Sequence, residues 1–185
     1  MVSSVPMPAP LLRVGRRAPL LIRASLGVRA LPLLLAAEIV VTFVVRGLSW
    51  RYDLYRAVDW SSGAAVISSP LLAGIVAGEV ALRERRLGEI VQAKQARHRA
   101  ALATFSGSTL AAWAAHLIVV ASALLVVYTS DIHGSPPVLG VLASLGFLAA
   151  GAGVGAALGG LTRSMSMIVV APVVVFGGQL AVTVM

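Results

Sequence analysis

The sequence predicts an all-α integral membrane protein, a polytopic bundle of about five transmembrane helices. Apolar residues make up 58% of the chain and charged residues only 12%, against about a quarter in soluble domains. The mean hydropathy is +0.93. The apolar residues also fall in uninterrupted runs, long enough to cross the roughly 30 Å hydrocarbon core as helices.

Five runs meet or approach the length of about 20 residues that a spanning helix needs. The spans are predicted at 31–45, 63–82, 107–129, 138–161 and 165–184, and together they make residues 31–185 a transmembrane domain. The runs do not alternate between polar and apolar residues, which favours helices over barrel strands. Residues 1–30 form a basic tail, and within it residues 19–29 are predicted as an interfacial helix, with a disordered tail as the alternative.

The distribution of basic residues predicts the orientation. Twelve Lys and Arg residues lie in the tail, in the connection between the second and third spans, and in the turn between the fourth and fifth spans. Only three lie in the two connections on the other side. Because positive charge is retained in the cytosol, the amino terminus and residues 83–103 are expected to be cytoplasmic. The excess of arginine over lysine hints at a bacterial source.

Composition also excludes several classes of function. The chain has no cysteine, so it can form neither a disulfide nor a thiolate metal site. The net charge of +8 is explained by membrane topology, so no nucleic-acid partner is expected. No metal site and no catalytic motif is predicted, and the glycine-rich stretch GAGVGAALG lacks the strand and the Lys-Ser/Thr of a phosphate loop.

Two polar residues interrupt the apolar spans. Glu38 lies in the middle of the first span and His116 in the third. An ionised acid at mid-span costs about 2.5–3.5 kcal/mol, so Glu38 should face protein or water, or carry a proton. A hydrogen bond to a neighbouring helix is the favoured interpretation, and a substrate or proton path through Glu38 and His116 is the functional alternative.

Glycines recur four residues apart in two spans. They are Gly74 and Gly78 in the second span, and Gly151, Gly155 and Gly159 in the fourth. This spacing places the glycines of each span on one helix face, where the backbone of another helix can approach closely. The pattern therefore predicts helix packing and leaves the activity open.

The densest cluster of charge lies between the second and third spans, in EVALRERRLGEIVQAKQARHRAALA, Glu79 to Ala103. Arginines are expected in a cytoplasmic loop that faces anionic lipid, but the glutamates mixed with them are not. We expect a break at Gly88 and then a short helix with an apolar edge and a basic edge. Such a segment is better suited to a protein partner than to a lipid surface.

These residues resemble the transmembrane permease subunits of ABC exporters of the second type. In that family an interfacial helix precedes the first span, and a charged run after the second span enters a short cytoplasmic coupling helix. The matching residues here are Glu84, Arg85 and Gly88 in RERRLGEI, followed by the basic stretch QAKQARHRAAL. The resemblance covers nearly the whole chain. Six spans are usual in the family, so five spans indicate a truncated product or a reduced subunit.

The resemblance implies a permease subunit in a bacterial inner membrane. A separate cytosolic ATPase would bind ATP and magnesium, since this chain has no phosphate-loop motif, and a second permease subunit would complete the transporter. The residues expected to contact the ATPase are Glu84, Arg85, Arg86, Gly88, Glu89, Lys94 and Arg97. The chain itself is expected to bind no cofactor and to catalyse no reaction.

Two other functions stay open at this point. The chain could be an accessory or immunity membrane protein that only binds partners, which predicts no dedicated ATPase. It could also be an intramembrane enzyme built from Glu38, Glu79 and His116, which predicts that these side chains are indispensable while the charged loop is replaceable.

Overall fold

The protein is a bundle of helices in every part of the chain that its structure describes. The computed structural model describes residues 26–45, 47–88, 94–130 and 134–184, with side chains for residues 28–45, 47–85, 98–130 and 134–181. The helices are α1 (Leu26–Arg29), α2 (Leu31–Ile39), α3 (Leu54–Ser62), α4 (Ala65–Gly88), α5 (Lys94–Tyr128), α6 (Val138–Thr162) and α7 (Met167–Val184). A π-helical segment, Val40–Val45, continues α2. The all-helical prediction is therefore confirmed for these residues.

Three stretches are long and apolar enough to cross a membrane: Leu54–Arg85, His98–Tyr128 and Val138–Thr162. The first and fifth predicted spans correspond to shorter apolar helices, Leu31–Val45 and Met167–Ala181. The helical bundle and its apolar helices thus agree with the sequence. The five crossings themselves remain a prediction.

Helix α4 lies at the centre of the bundle, between α6 and α7. One face of α6 presents Gly151, Gly155 and Gly159 to α4. A Cβ atom on Gly155 would lie 2.9 Å from the Ala73 Cα, and one on Gly159 would meet the backbone of Ala77 in the same way. The absence of these side chains lets the two backbones touch, and the buried Leu72, Val76 and Leu148 pack around the contact.

Helix α4 uses Gly74 and Gly78 in the same way on a neighbouring face, towards α7. A Cβ atom on Gly74 would lie 2.7 Å from the Ile168 carbonyl oxygen, and one on Gly78 would lie 2.7 Å from the Ile168 Cγ1. Helix α7 therefore lies against α4 through its first two turns. Pro70 and Pro172 lie inside α4 and α7.

The connection between the first two predicted spans contains a helix, α3, and a buried tryptophan. Asp53 caps α3, since its carboxylate accepts hydrogen bonds from the Tyr55 and Arg56 amides at 2.9 and 3.3 Å. The apolar face of α3 packs with Ala123 and Val127 of α5. Trp50 is buried against Phe43 rather than held at the surface. Burial of this helix edge outweighs the interfacial preference of the indole.

The two ends of the bundle are distinct, and we call them the Arg163 end and the Gly134 end. Arg163 lies in the turn between α6 and α7, has a left-handed backbone with φ of 50°, and contacts the last turns of α4. Gly134 lies beside Asp53 and Tyr55, in the loop before α6. The predicted interfacial helix falls mostly outside the described residues, which begin with the last turn, α1.

The charged segment between α4 and α5 is more helical than a short coupling helix. Helix α4 runs to Gly88, six residues beyond the predicted end of the second span. Helix α5 begins at Lys94 and continues without a break to Tyr128, over 35 residues. Residues 94–103 are therefore the first turns of the third long helix. Glu89 lies outside the described residues.

Candidate functional site

Four buried polar side chains from four helices meet inside the bundle. Glu38 comes from α2, Ser68 from α4, His116 from α5 and Ser144 from α6. Their exposed fractions are 1%, 1%, 0% and 3%. We call these four residues the Glu38–His116 network. Burying polar groups this completely is costly unless they are hydrogen-bonded.

The geometry of the network is that of a continuous hydrogen-bonded chain. The Ser68 hydroxyl donates to the Glu38 Oε1 at 2.6 Å, and the His116 Nδ1 lies 2.9 Å from the Glu38 Oε2. The His116 Nε2 lies 2.7 Å from the Ser144 Oγ. The Ser144 hydroxyl can in turn donate to the Val141 carbonyl oxygen, also at 2.7 Å.

The chain of hydrogen bonds can hold one proton more or one proton less. When Ser144 donates to Val141, His116 must donate from Nε2, and the remaining proton lies between Nδ1 and Glu38. The network is then neutral overall. When Ser144 donates to Nε2 instead, His116 donates from Nδ1 to a carboxylate, and the network carries one negative charge.

Three more buried hydroxyls lie on the helical segments that carry Glu38 and His116. Thr42 lies one turn beyond Glu38, and Thr104 and Ser108 precede His116 on α5. All three side chains are buried, and their hydroxyls have no hydrogen-bond partner among the described residues. Buried hydroxyls of this kind are usually satisfied by internal water.

Two further hydrogen bonds fix α6 beside the network. The Trp113 indole donates to the Leu145 carbonyl oxygen at 2.9 Å, and the Ser69 hydroxyl donates to the Phe147 carbonyl oxygen at 2.8 Å. Both acceptors are within one turn of Ser144 on α6. These bonds position the Ser144 hydroxyl in front of His116.

Sequence reasoning picks out Glu38 and His116 but misses Ser68 and Ser144. The signal available for the serines is weak, because single hydroxyls are common in membrane helices and usually bond to their own backbone. Glu79, grouped with Glu38 and His116 in the enzyme interpretation, lies elsewhere. It is buried near the Arg163 end and pairs with Arg83 one turn later.

The predicted coupling residues form a second cluster at the Arg163 end. The Glu84 carboxylate lies 3.8 Å from the Arg163 Nε, and its side chain is only 12% exposed. The Arg85 Nε donates to the Arg163 carbonyl oxygen at 2.8 Å, although Arg85 itself is exposed. Gly88 ends α4. The side chains of Arg86, Lys94 and Arg97 lie outside the described residues.

The described residues contain no group of three or more His, Cys, Asp or Glu side chains placed to hold a metal ion. Comparison with protein-family models, with curated proteins and with solved structures gave no match. The function is therefore argued from the chemistry of these two clusters.

Proposed function

We propose that the chain is the membrane-spanning permease subunit of an ATP-driven exporter, in a bacterial inner membrane with its Arg163 end in the cytosol. A separate ATPase would hold ATP and magnesium and dock on residues 83–99. A second permease subunit would complete the transporter. The proposal is supported by the resemblance of the charged segment and by the helical bundle with three helices long and apolar enough to cross a membrane.

One observation carries the proposal: the end of α4 is tied to the turn between α6 and α7. Glu84 and Arg85 both contact Arg163, through an ion pair and a hydrogen bond. A partner that moved the end of α4 would therefore also move α6 and α7. Coupling of this kind needs a segment that contacts the partner differently in two states.

The length of α5 supports the same arrangement. Its 35 residues span roughly 52 Å, far more than the roughly 30 Å of hydrocarbon. The first turns of α5 carry Lys94, Arg97 and Arg99, so they are the part that extends into water. We expect an ATPase to contact both the end of α4 and the first turns of α5.

Charge reversal at Arg85 tests the proposal. Arg85 is exposed and belongs to the expected contact surface, and Arg51 is an exposed arginine at the Gly134 end that serves as the matched control. Tagged wild type, Arg85→Glu and Arg51→Glu are purified from the native membrane. We expect wild type and Arg51→Glu to co-purify with a phosphate-loop ATPase, identified by mass spectrometry, and to show vanadate-sensitive ATP hydrolysis. Arg85→Glu should lose both the ATPase and the hydrolysis.

Two results would count against the permease. If Arg85→Glu retains the ATPase and its stimulated turnover, the contact surface is wrong. If no ATPase accompanies the wild type, the chain is an accessory protein of the kind described above. Charge reversal of Glu84 together with Glu89 is a second test with the same expectation, and Glu84→Lys, like Arg85→Glu, also removes a contact with Arg163.

A specific observation favours a second function, an intramembrane hydrolase. Ser144, His116 and Glu38 are connected in the order nucleophile, base and acid, at 2.7 and 2.9 Å. Ser144 would attack an acyl carbonyl and pass its proton to His116, which would return it to the leaving group before water releases the acyl group. Covalent labelling by a fluorophosphonate, abolished by Ser144→Ala, would establish this function.

The hydrolase ranks second because two requirements are not met in this conformation. Ser144 is only 3% exposed, so a substrate cannot reach it. It also lies inside α6, where the backbone amides are engaged in the helix and cannot act as oxyanion donors. Absence of labelling in wild type would exclude the hydrolase.

A further inference from the structure

A groove of about 520 Å³ opens on the flank of the bundle near the Arg163 end. Its walls come from the junction of α1 and α2, from α4 and from the start of α7. The volume falls within the range of about 300–1,000 Å³ that is typical of small-molecule sites. The groove is separate from the Glu38–His116 network, none of whose four residues lines it.

The groove is apolar along its length and charged at one end. Leu33, Leu71 and Ile75 line its apolar part, and the charged lining residues are Arg29 and the buried Glu79, which we call the rim. Both rim residues belong to the Arg163 end, since Arg29 precedes α2 and Glu79 lies one turn before Arg83. A ligand that fits this pattern has an apolar tail and a polar head.

The charges at the rim select an anionic head group. Glu79 forms an ion pair with Arg83, so these two side chains are neutral together. Arg29 adds a positive charge on the exposed side of the rim. An arginine near a membrane surface attracts the phosphate of a lipid, and the guanidinium donates hydrogen bonds that match phosphate oxygens.

We propose that this groove binds one phospholipid from the leaflet at the Arg163 end, with its phosphate at Arg29 and an acyl chain along Leu33 and Leu71. The inference requires only that the bundle lies in a bilayer, so it goes beyond the permease and does not depend on an ATPase. A helix of a second copy fits less well, because it would place apolar side chains against Arg29 and the Glu79–Arg83 pair.

The test uses the full chain, purified in non-ionic detergent, stripped of lipid and titrated with phosphatidylglycerol or phosphatidylcholine. Bound lipid is counted by native mass spectrometry. Arg29→Gln removes the rim charge, and Arg51→Gln is its control at the Gly134 end. Leu71→Trp fills the groove, and Leu125→Trp is its control, since Leu125 is 67% exposed on α5 and does not line the groove.

We expect wild type and both controls to bind one phosphatidylglycerol molecule and to bind it more tightly than phosphatidylcholine. Arg29→Gln should weaken phosphatidylglycerol binding by about fivefold and remove the preference. Leu71→Trp should abolish binding of both lipids.

Unchanged binding in Arg29→Gln would overturn the proposal, and so would an equal loss in Leu71→Trp and Leu125→Trp. A wild-type dimer that Leu71→Trp dissociates would assign the groove to a second copy instead. If Leu71→Trp does not fold, lipid binding by Arg29→Gln still tests the proposal, because Arg29 is exposed and its replacement leaves the core unchanged.

Discussion

At the scale of single residues, the Glu38–His116 network sets the polar chemistry of the bundle. Each of its four members depends on another for a hydrogen bond in a place that water does not reach freely. A change at one residue therefore leaves a buried partner unsatisfied, which costs more than the bond itself contributes. The network should tolerate a substitution that keeps every donor and acceptor paired.

Glu38→Gln and Glu38→Met separate the effect of hydrogen bonding on stability from the effect of side-chain size. A glutamine can accept from Ser68 through its carbonyl oxygen and donate to the His116 Nδ1, while the His116 Nε2 donates to Ser144. We expect Glu38→Gln to lose at most about 1 kcal/mol of unfolding free energy. Glu38→Met removes the hydrogen bonds of Glu38 with Ser68 and with the His116 Nδ1, and it should lose about 1–3 kcal/mol. Unfolding of the purified protein in detergent measures both, and equal losses would contradict the network as described.

Ser144→Ala is expected to have a smaller effect than loss of His116. Alanine leaves the His116 Nε2 without a partner but preserves the contact of Nδ1 with Glu38, whereas His116→Leu removes one hydrogen-bond partner from Glu38 and one from Ser144. The loss of stability should therefore be larger for His116→Leu, by about 1 kcal/mol or more. Paired thermal unfolding curves of the two variants provide the comparison, and the reverse order would count against it.

At the scale of helices, the packing of α4 against α6 depends on the absence of side chains. Gly151, Gly155 and Gly159 face Ser69, Ala73 and Ala77, so small residues four apart on one helix lie against small residues four apart on the other. This close approach carries Ser144 of α6 and Ser68 of α4 into the same layer as His116. The geometry of the polar network is thus a consequence of the glycine contacts.

Gly155→Ala tests this contact, and Gly146→Ala is a control on the same helix. A Cβ atom on Gly155 meets the backbone of Ala73, while one on Gly146 meets no neighbouring atom within 4 Å. We expect Gly155→Ala to lose about 1–3 kcal/mol through overpacking. Gly146→Ala should gain about 0.5–1 kcal/mol, because alanine is the better helix former. Unfolding in detergent reports both, and no difference between them would rule out the close approach.

The contact of α4 with α7 offers a graded version of the same test. A Cβ atom on Gly74 meets the Ile168 backbone oxygen, whereas one on Gly78 meets the movable end of the Ile168 side chain. Gly74→Ala should therefore destabilise the protein more than Gly78→Ala. Shortening Ile168 to alanine removes both Cγ1 and Cδ1, so Gly78→Ala should cost less stability in that background, whereas Gly74→Ala should cost as much as before, as measured by the same unfolding assay.

The sequence predicts the helices well but not the contacts between them. Continuous apolar runs identify α2, α4, α5, α6 and α7, because length and hydropathy are properties of a single segment. Helix α3 and the burial of Trp50 are missed, because they depend on a tertiary contact with Ala123 and Val127. The sequence also does not say which helix each glycine stripe meets.

The candidate site could be predicted only in part for the same reason. An acid and a histidine stand out in an apolar span, so Glu38 and His116 are visible, but their pairing across 78 residues of chain is not. The sequence does not distinguish Ser68 and Ser144 from other serines in the helices, because their role depends on how the helices pack. Glu84 looks like an exposed contact residue in the sequence, yet its carboxylate lies beside Arg163 and is mostly covered.

At the scale of the whole molecule, the two ends of the bundle have different chemistry. The Arg163 end carries the arginines of α4, α5 and the α6–α7 turn, together with the rim of the groove. The Gly134 end carries α3 and the buried Trp50. A permease driven from the cytosol requires the Arg163 end to face the cytosol, and the positive charge there agrees with that orientation.

The orientation of the chain across the membrane can be measured directly. The chain has no cysteine, so a single introduced cysteine can be labelled without background. Ser135 at the Gly134 end and Ser166 at the Arg163 end are both exposed. The measurement is labelling of Ser135→Cys and Ser166→Cys in intact cells by a maleimide that crosses the outer membrane but not the inner one. We predict that Ser135→Cys is labelled in intact cells and Ser166→Cys only after the inner membrane is permeabilised. Labelling of Ser166→Cys in intact cells, or recovery of the protein in the soluble fraction, would contradict the account.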